Sequence, residues 1–345
     1  MTSRPSLWLA LFLATTPAYP AGPRPHPDLL TLENPAAKVV LAPNAGGRII
    51  YYGPPQGPNL LLAPNLDRLS NKNVPQPKPE TEWVQLFGHV VWISPQSRFW
   101  AALPQPNRIL SWPPDPWLEF GRIENIQRRP QQIQWDGPLS PLNGGRVSQR
   151  LTLLPSGTLH LLTTYTNHSD QPVNLAIWTN TRVPPTAQAA GPLEPGETFR
   201  FEFHSNVPER ERPWPFTTLK NFFHLDLSTN PHRVAGKAFF SAPRPFLTAW
   251  RDGYLFTLRP DRPTPIHSSP QQHAPIEVYG FFNPANASGL LELEFHSPQT
   301  ELPPGGRLEF GLAWAFEPMP PPPTPTDLWQ AGAAAEAKLA NQPLP

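Results

Sequence analysis

The residues best equipped for chemistry fall in two stretches far apart in the chain. Near the C-terminus, Leu291-Glu292-Leu293-Glu294-Phe295-His296 alternates apolar with polar residues. Successive side chains of a strand point to opposite faces, so Glu292, Glu294 and His296 share one face and Leu291, Leu293 and Phe295 the other. A carboxylate on such a face can act as a base, with Glu294 and Glu292 as candidates. The same pattern also describes a polar edge facing solvent, because charged residues are mostly exposed. The second stretch is Phe87-Gly88-His89-Val90-Val91-Trp92-Ile93-Ser94-Pro95-Gln96, with the aromatic run that follows it. Trp83, Trp92, Trp100, Trp112 and Trp117 lie in this region, out of 12 tryptophans in all. Trp112-Pro113-Pro114-Asp115-Pro116-Trp117 is too rich in proline for a helix or a central strand. His89, Gln96 and several indoles on stiff, loop-like backbone suit the grip on a flat, hydroxyl-rich ligand. They equally suit the core of a β-protein. Glu277 is a further carboxylate, and Arg48 and Arg182 offer the planar fork that clamps hydroxyls or the carboxylate of an acidic sugar.

The elements that must position these groups read as short strands. Val39-Val40-Leu41, the turn Asn44-Ala45-Gly46-Gly47 and Arg48-Ile49-Ile50-Tyr51-Tyr52 form a first hairpin. Residues 54–80, rich in Pro, Asn and Gln, read as a long surface loop that either covers a site or is a flexible insertion. Further strands are expected at 147–153, 159–166, 173–179, 198–204, 254–258, 276–280, 290–296 and 308–316. Pro155-Ser156-Gly157 and Pro195-Gly196-Glu197 are turns between them. Residues 318–325 form a polyproline linker, and 327–341 a short helix with Thr326 as N-cap. Leu328, Ala331, Ala335 and Leu339 would share one helix face, which either docks on the sandwich or hangs free.

Composition narrows the classes. Hydrophobic residues make up 39%, enough for a sizeable core, and 53 prolines against 21 glycines disfavour long helices. With 15% charged residues, a net charge of +1 and no basic stripe, nucleic acid is not an expected partner. The absence of cysteine excludes disulfides and thiolate chemistry. The ten histidines form no His-Glu-x-x-His pattern, so the sequence supports no metal site, and no cofactor is expected. Arg4, the apolar run 7–14 and small residues up to Ala18 or Ala21 read as a secretory signal over residues 1–21. That run is too short to span a bilayer, and no span is expected in the mature chain. The expected location is periplasmic or secreted.

Several of these motifs carry a family resemblance. Residues 87–96 resemble the Gly-Gly-His-x-Leu-Trp-x-x-Pro-Gln signature of a bacterial group, domain-of-unknown-function family 4380, with Phe87 where the group usually has Gly. The hairpin at Asn44-Ala45-Gly46-Gly47-Arg48-Ile49, the block Trp112-Pro113-Pro114-Asp115-Pro116 and the strand from Pro172-Val173 to Trp178-Thr179 resemble it too. So do Ile276-Glu277-Val278-Tyr279 and residues 291–298. That family is similar in turn to the galactose-mutarotase-like (aldose 1-epimerase-like) supersandwiches, which bind sugars on the concave face of a large sheet. The resemblance implies an all-β fold: a large antiparallel β-sandwich over residues 22–317, followed by the proline-rich linker and short helix of 318–345. It also implies a small carbohydrate or glycan as ligand. A mutarotase opens the sugar ring with a carboxylate base and a histidine acid, and the resemblance places Trp178 where that histidine would stand. Indole donates a hydrogen bond but is no acid near neutral pH. His89 either replaces the acid from the opposite side or is a structural residue.

Three functions follow. The first is an exported carbohydrate-binding protein of mutarotase-like fold without standard mutarotase activity, resting on the order of the motifs, the tryptophans and Trp178. The second is an epimerase-like, carbohydrate-active enzyme using Glu292, Glu294, Glu277 or His89. The third is a non-catalytic structural protein of the cell envelope.

Overall fold

A computed structural model describes residues 29–70, 73–79, 81–95, 114–193, 200–203, 215–265 and 273–345. The expected secretory segment, Gln96, Trp100, Trp112 and the turn 195–197 lie outside them. The first strands are β1 (Leu30–Glu33), β2 (Lys38–Ala42), β3 (Arg48–Gly53) and β4 (His89–Ser94), followed by the short helix α1 (Pro116–Phe120). Next come β5 (Glu124–Arg129), β6 (Gln132–Asp136), β7 (Gly145–Leu153), β8 (Leu159–Asn167), β9 (Val173–Val183) and β10 (Gln188–Pro192). The chain continues through β11 (Arg200–Phe203), β12 (Phe216–Leu219), β13 (Phe222–Asp226), β14 (Val234–Phe240), β15 (Leu247–Arg251) and β16 (Tyr254–Pro260). It ends with β17 (Ile276–Asn283), β18 (Ser288–His296), β19 (Thr300–Leu302), β20 (Arg307–Pro318) and the helix α2 (Pro325–Ala340).

The strands make two antiparallel sheets of ten. One runs β1-β2-β3-β4-β9-β18-β17-β14-β11 with β19 beside β9; the other runs β12-β13-β10-β15-β16-β20-β8-β7-β6-β5. Their facing sides carry the main core, which includes Ile177, Leu293, Phe295, Tyr165, Leu151, Phe256 and Trp314. In β7 every second residue is buried, the signature of a strand with one wet face. Strands β4 and β9 differ: nearly every residue is buried, so the first sheet is covered on both faces. That is why β4, with the sequence HVVWIS, shows no alternation to read. The hairpin turn needs glycine at Gly46 and Gly47, whose φ values are 72° and 65°.

The described residues of 54–80 form no strand, as expected, but the segment is not wholly superficial. Leu60, Leu61, Leu69 and Val74 are buried, and Leu69 and Val74 join a second apolar cluster with Ile50, Tyr51 and Phe120. The tail helix begins two residues earlier than expected. Thr324, not Thr326, is the N-cap and forms a capping box with Asp327. Leu328, Ala335 and Leu339 are buried, so the helix is docked; Leu328 and Ala335 pack with Ala190 and Leu255 of the second sheet. Trp329 stacks on Phe222 and Phe246, with centroids 5.0 and 5.4 Å away. No helix among the described residues is long and apolar enough to cross a membrane.

Candidate functional site

The registers of β4, β9, β18, β17 and β14 decide which polar residues meet. Trp92 lies opposite Trp178, Asn180 opposite Glu294, Glu294 opposite Glu277, and Glu292 opposite both Arg182 and Tyr279. Lys237 lies opposite Tyr279. Directly opposed residues share a face, so one side of the first sheet gathers Trp92, Trp178, Asn180, Arg182, Glu292, Glu294, His296, Glu277 and Lys237. This is the side turned away from the second sheet. Arg48 joins at the start of β3 and Glu119 from α1, whose N-cap Asp115 accepts a bond from the Trp117 N–H.

The face is a chain of buried ion pairs. Arg48 Nη2 lies 2.6 Å from Glu119 Oε1, and Trp92 Nε1 donates to Glu119 Oε2 at 2.8 Å. Arg182 Nε lies 2.7 Å from Glu292 Oε1, with its guanidinium 5.1 Å from the Trp92 ring centre. Arg48 and Arg182 also donate to the Phe87 carbonyl, which a left-handed φ of 51° aims at them. Trp178 Nε1 donates to Glu294 Oε2 at 2.6 Å. Lys237 Nζ bridges Glu294 Oε2 at 2.7 Å and Glu277 Oε2 at 2.6 Å, and sits 4.6 Å from the centre of the Trp178 ring. Trp178 in turn stacks on His296, with ring centres 5.2 Å apart. Glu277 Oε1 lies 3.0 Å from His273 Nδ1 and accepts from the Ala274 N–H at 3.0 Å.

Charge and burial set the protonation states. Burial raises the Glu294 carboxyl to about 8; Lys237 opposes this, and the like charges of Glu292 and Glu277 add to it. Glu277 is also buried, but Lys237, His296 and His273 together hold it well below the usual carboxylate range. Burial lowers His296 to about 4, leaving it neutral. Among the buried atoms of this face without hydrogen-bond partners are both amide atoms of Asn180 and Glu294 Oε1. Partly accessible members form a rim: Lys237 is 18% exposed, His273 12% and Glu292 11%.

Among the expected site residues, Glu294, Glu292, Glu277, Trp92, Trp178, Arg182 and Arg48 share this face. His89 does not. It lies on the opposite side of β4, packed edge-on against Trp314 of the second sheet at 4.8 Å, with Nδ1 2.9 Å from Thr181 Oγ1. Burial, with Arg48 and Arg182 nearby, lowers it to about 3. It is a neutral core residue in this structure and does not reach Glu294. The expected roles of the arginines and indoles also need correction. Arg48 and Arg182 are occupied by Glu119 and Glu292, so neither presents a free fork. The Trp178 ring is engaged by Lys237 and His296, and that of Trp92 by Arg182. Gln96 and Trp112 are outside the described residues.

Sequence reading missed Glu119, Lys237, His273 and Asn180. Lys237 had a signal: it is the sole charged residue of the apolar strand Val-Ala-Gly-Lys-Ala-Phe-Phe. Glu119 had none, since only the fold brings α1 onto β4. A separate pocket lined by Trp117, Leu118, Trp135, Val147 and Gln149 has no ionisable group in its wall.

A family model described as Domain of unknown function (DUF4380) matches residues 28–317. No curated protein matches the chain in sequence. The fold is similar to that of a galactose mutarotase-like protein from Lactobacillus casei ATCC 334, with TM-score 0.52, 11% identity and coverage of 84% of this chain and 100% of that one. It is similar as well to a candidate aldose 1-epimerase from Escherichia coli K12, with TM-score 0.51, 15% identity and coverage of 84% and 99%. A galactose mutarotase-like protein from Clostridium acetobutylicum gives TM-score 0.50, 9% identity and coverage of 84% and 95%. The chain has the galactose mutarotase-like fold.

Proposed function

The chain belongs to the DUF4380 family, and from that membership and the geometry of the buried face we propose that it is an exported carbohydrate-binding protein without standard aldose mutarotase activity. One observation carries the binding: the Asn180 amide and Glu294 Oε1 lie opposite each other in register, buried and without hydrogen-bond partners. Buried polar atoms are normally satisfied, and a polyhydroxylated ligand supplies the donors and acceptors these two lack. Lys237 and Glu292 stand at the accessible rim to take further hydroxyls. The names of the structural neighbours favour a sugar over other polyols. The lack of mutarotation rests on Trp178. Ring opening needs a base at the anomeric hydroxyl and an acid at the ring oxygen. The indole beside Glu294 donates a hydrogen bond but supplies no titratable proton. Export rests on Arg4, the apolar run 7–14 and the small residues after it.

A second reading, an epimerase-like enzyme with Glu294 as proton-transfer group, is favoured by the unpartnered Oε1. Two measurements separate the readings. Intrinsic tryptophan fluorescence should respond saturably to at least one member of a sugar panel, and magnetisation-exchange NMR should find anomers of that sugar interconverting at their spontaneous rate. Accelerated exchange would make the enzyme reading correct; no response to any sugar would remove both.

A further inference from the structure

Where β17 and β18 end, three side chains from two strands and a preceding segment converge. His273 Nδ1 lies 3.0 Å from Glu277 Oε1, and His296 Nε2 lies 3.3 Å from the same oxygen. All three atoms fall within 4.8 Å of one another. We propose that His273, Glu277 and His296 form a binding site for a divalent metal ion of the zinc class at the rim of the buried face. The proposal does not depend on the ligand being a sugar.

Four observations support it. First, the donor set is two imidazole nitrogens and one carboxylate oxygen, the set that borderline divalent ions prefer. Tetrahedral donors each about 2.1 Å from an ion stand about 3.4 Å apart, close to the separations from Glu277 Oε1. Second, His296 is wholly buried, and its Nε2 stands 3.3 Å from the Glu277 carboxylate without well-aligned hydrogen-bond geometry. Its Nδ1 lies 3.1 Å from Ser94 Oγ. If Nδ1 carries the proton, Nε2 presents a lone pair to a carboxylate oxygen, and two acceptors face each other with nothing between them. A cation resolves that arrangement. The Ser94 contact is the kind of outer partner that fixes the tautomer of a metal-binding histidine. Third, Glu277 is steadied from behind: the Ala274 N–H holds Oε1 and Lys237 holds Oε2. Fourth, the surrounding charge tolerates a cation. The lysine on Glu277, Lys237, is shared with Glu294 and sits on Oε2, leaving Oε1 turned to the two histidines. The partial exposure of His273 gives the ion a way in and leaves room for a further ligand, as in zinc sites with three protein donors.

The test uses tag-free, full-length protein stripped with a chelator and exchanged into chelator-free buffer. Cobalt(II) should produce the visible absorption of a low-symmetry site at one equivalent. Zinc(II) should displace it and raise the thermal midpoint. His273→Ala, which truncates a partly exposed ring at the rim, should weaken binding at least tenfold while leaving the unliganded midpoint close to that of the wild type. Absence of both the cobalt spectrum and the zinc shift in the wild type overturns the proposal. So does binding of equal strength in His273→Ala.

Discussion

His89 and Trp92 stand three positions apart on β4 and point to opposite faces, which gives them different physics. His89 is held neutral between the sheets, and its acid limb is predictable. The unfolded chain takes up a proton at this residue below about 6.5, the ordinary histidine value, while the folded chain does so only near 3. Stability contributed by His89 is therefore present above pH 6.5 and lost as the pH falls towards 3, with a slope approaching about 1.4 kcal/mol per pH unit for one proton. Denaturant unfolding of His89→Gln at several pH values should show that slope reduced by one proton; an unchanged slope would mean the ring is solvated. The pair Arg48–Glu119 makes a second residue-scale prediction. Its side chains are 0% and 1% exposed. Glu119→Ala leaves a buried guanidinium uncompensated and should lose about 3–5 kcal/mol in chemical denaturation. A loss below 1 kcal/mol would show that water reaches Arg48.

At the scale of elements, the pattern that was legible in the sequence was the one with period two. The alternation in residues 291–296 correctly put Glu292, Glu294 and His296 on one face of β18. The run His-Val-Val-Trp-Ile-Ser of β4 has no such period because both its faces are covered, so nothing in it told His89 from Trp92. Ion pairs such as Arg48–Glu119 were illegible for another reason: they join elements brought together only by the register of the sheet. The tail helix shows the same limit. Its apolar face was readable, its docking partner was not. Leu328 is fully buried, yet its cluster is distinct from the main core. Truncation after Glu317 should therefore lower the unfolding midpoint while leaving a β-type far-UV spectrum and a cooperative transition. Leu328→Ala should lose about 2–5 kcal/mol as a cavity effect. A truncated chain that unfolds without cooperativity would make the helix part of the main core.

For the whole molecule, the two sheets divide the work. The second sheet supplies most of its apolar side to the core and carries α2 on its back. The first sheet presents a polar, charge-paired face on its other side, where each ionic contact limits which groups remain for a ligand. Most of the fixed charges satisfy one another, and the Asn180 amide and Glu294 Oε1 are among the atoms left over. A leftover pair of that kind is a burden to stability unless it is used. The most direct test of the account is a calorimetric sugar titration of the wild type beside Asn180→Leu, with the stability of both recorded. Replacing a buried, unpartnered amide by an apolar side chain of similar size should leave stability unchanged or raised. It should also weaken sugar binding by about tenfold, since a ligand hydroxyl loses its partner. If Asn180→Leu binds every sugar as the wild type does, or the wild type binds none, the buried face of the first sheet is not a carbohydrate site.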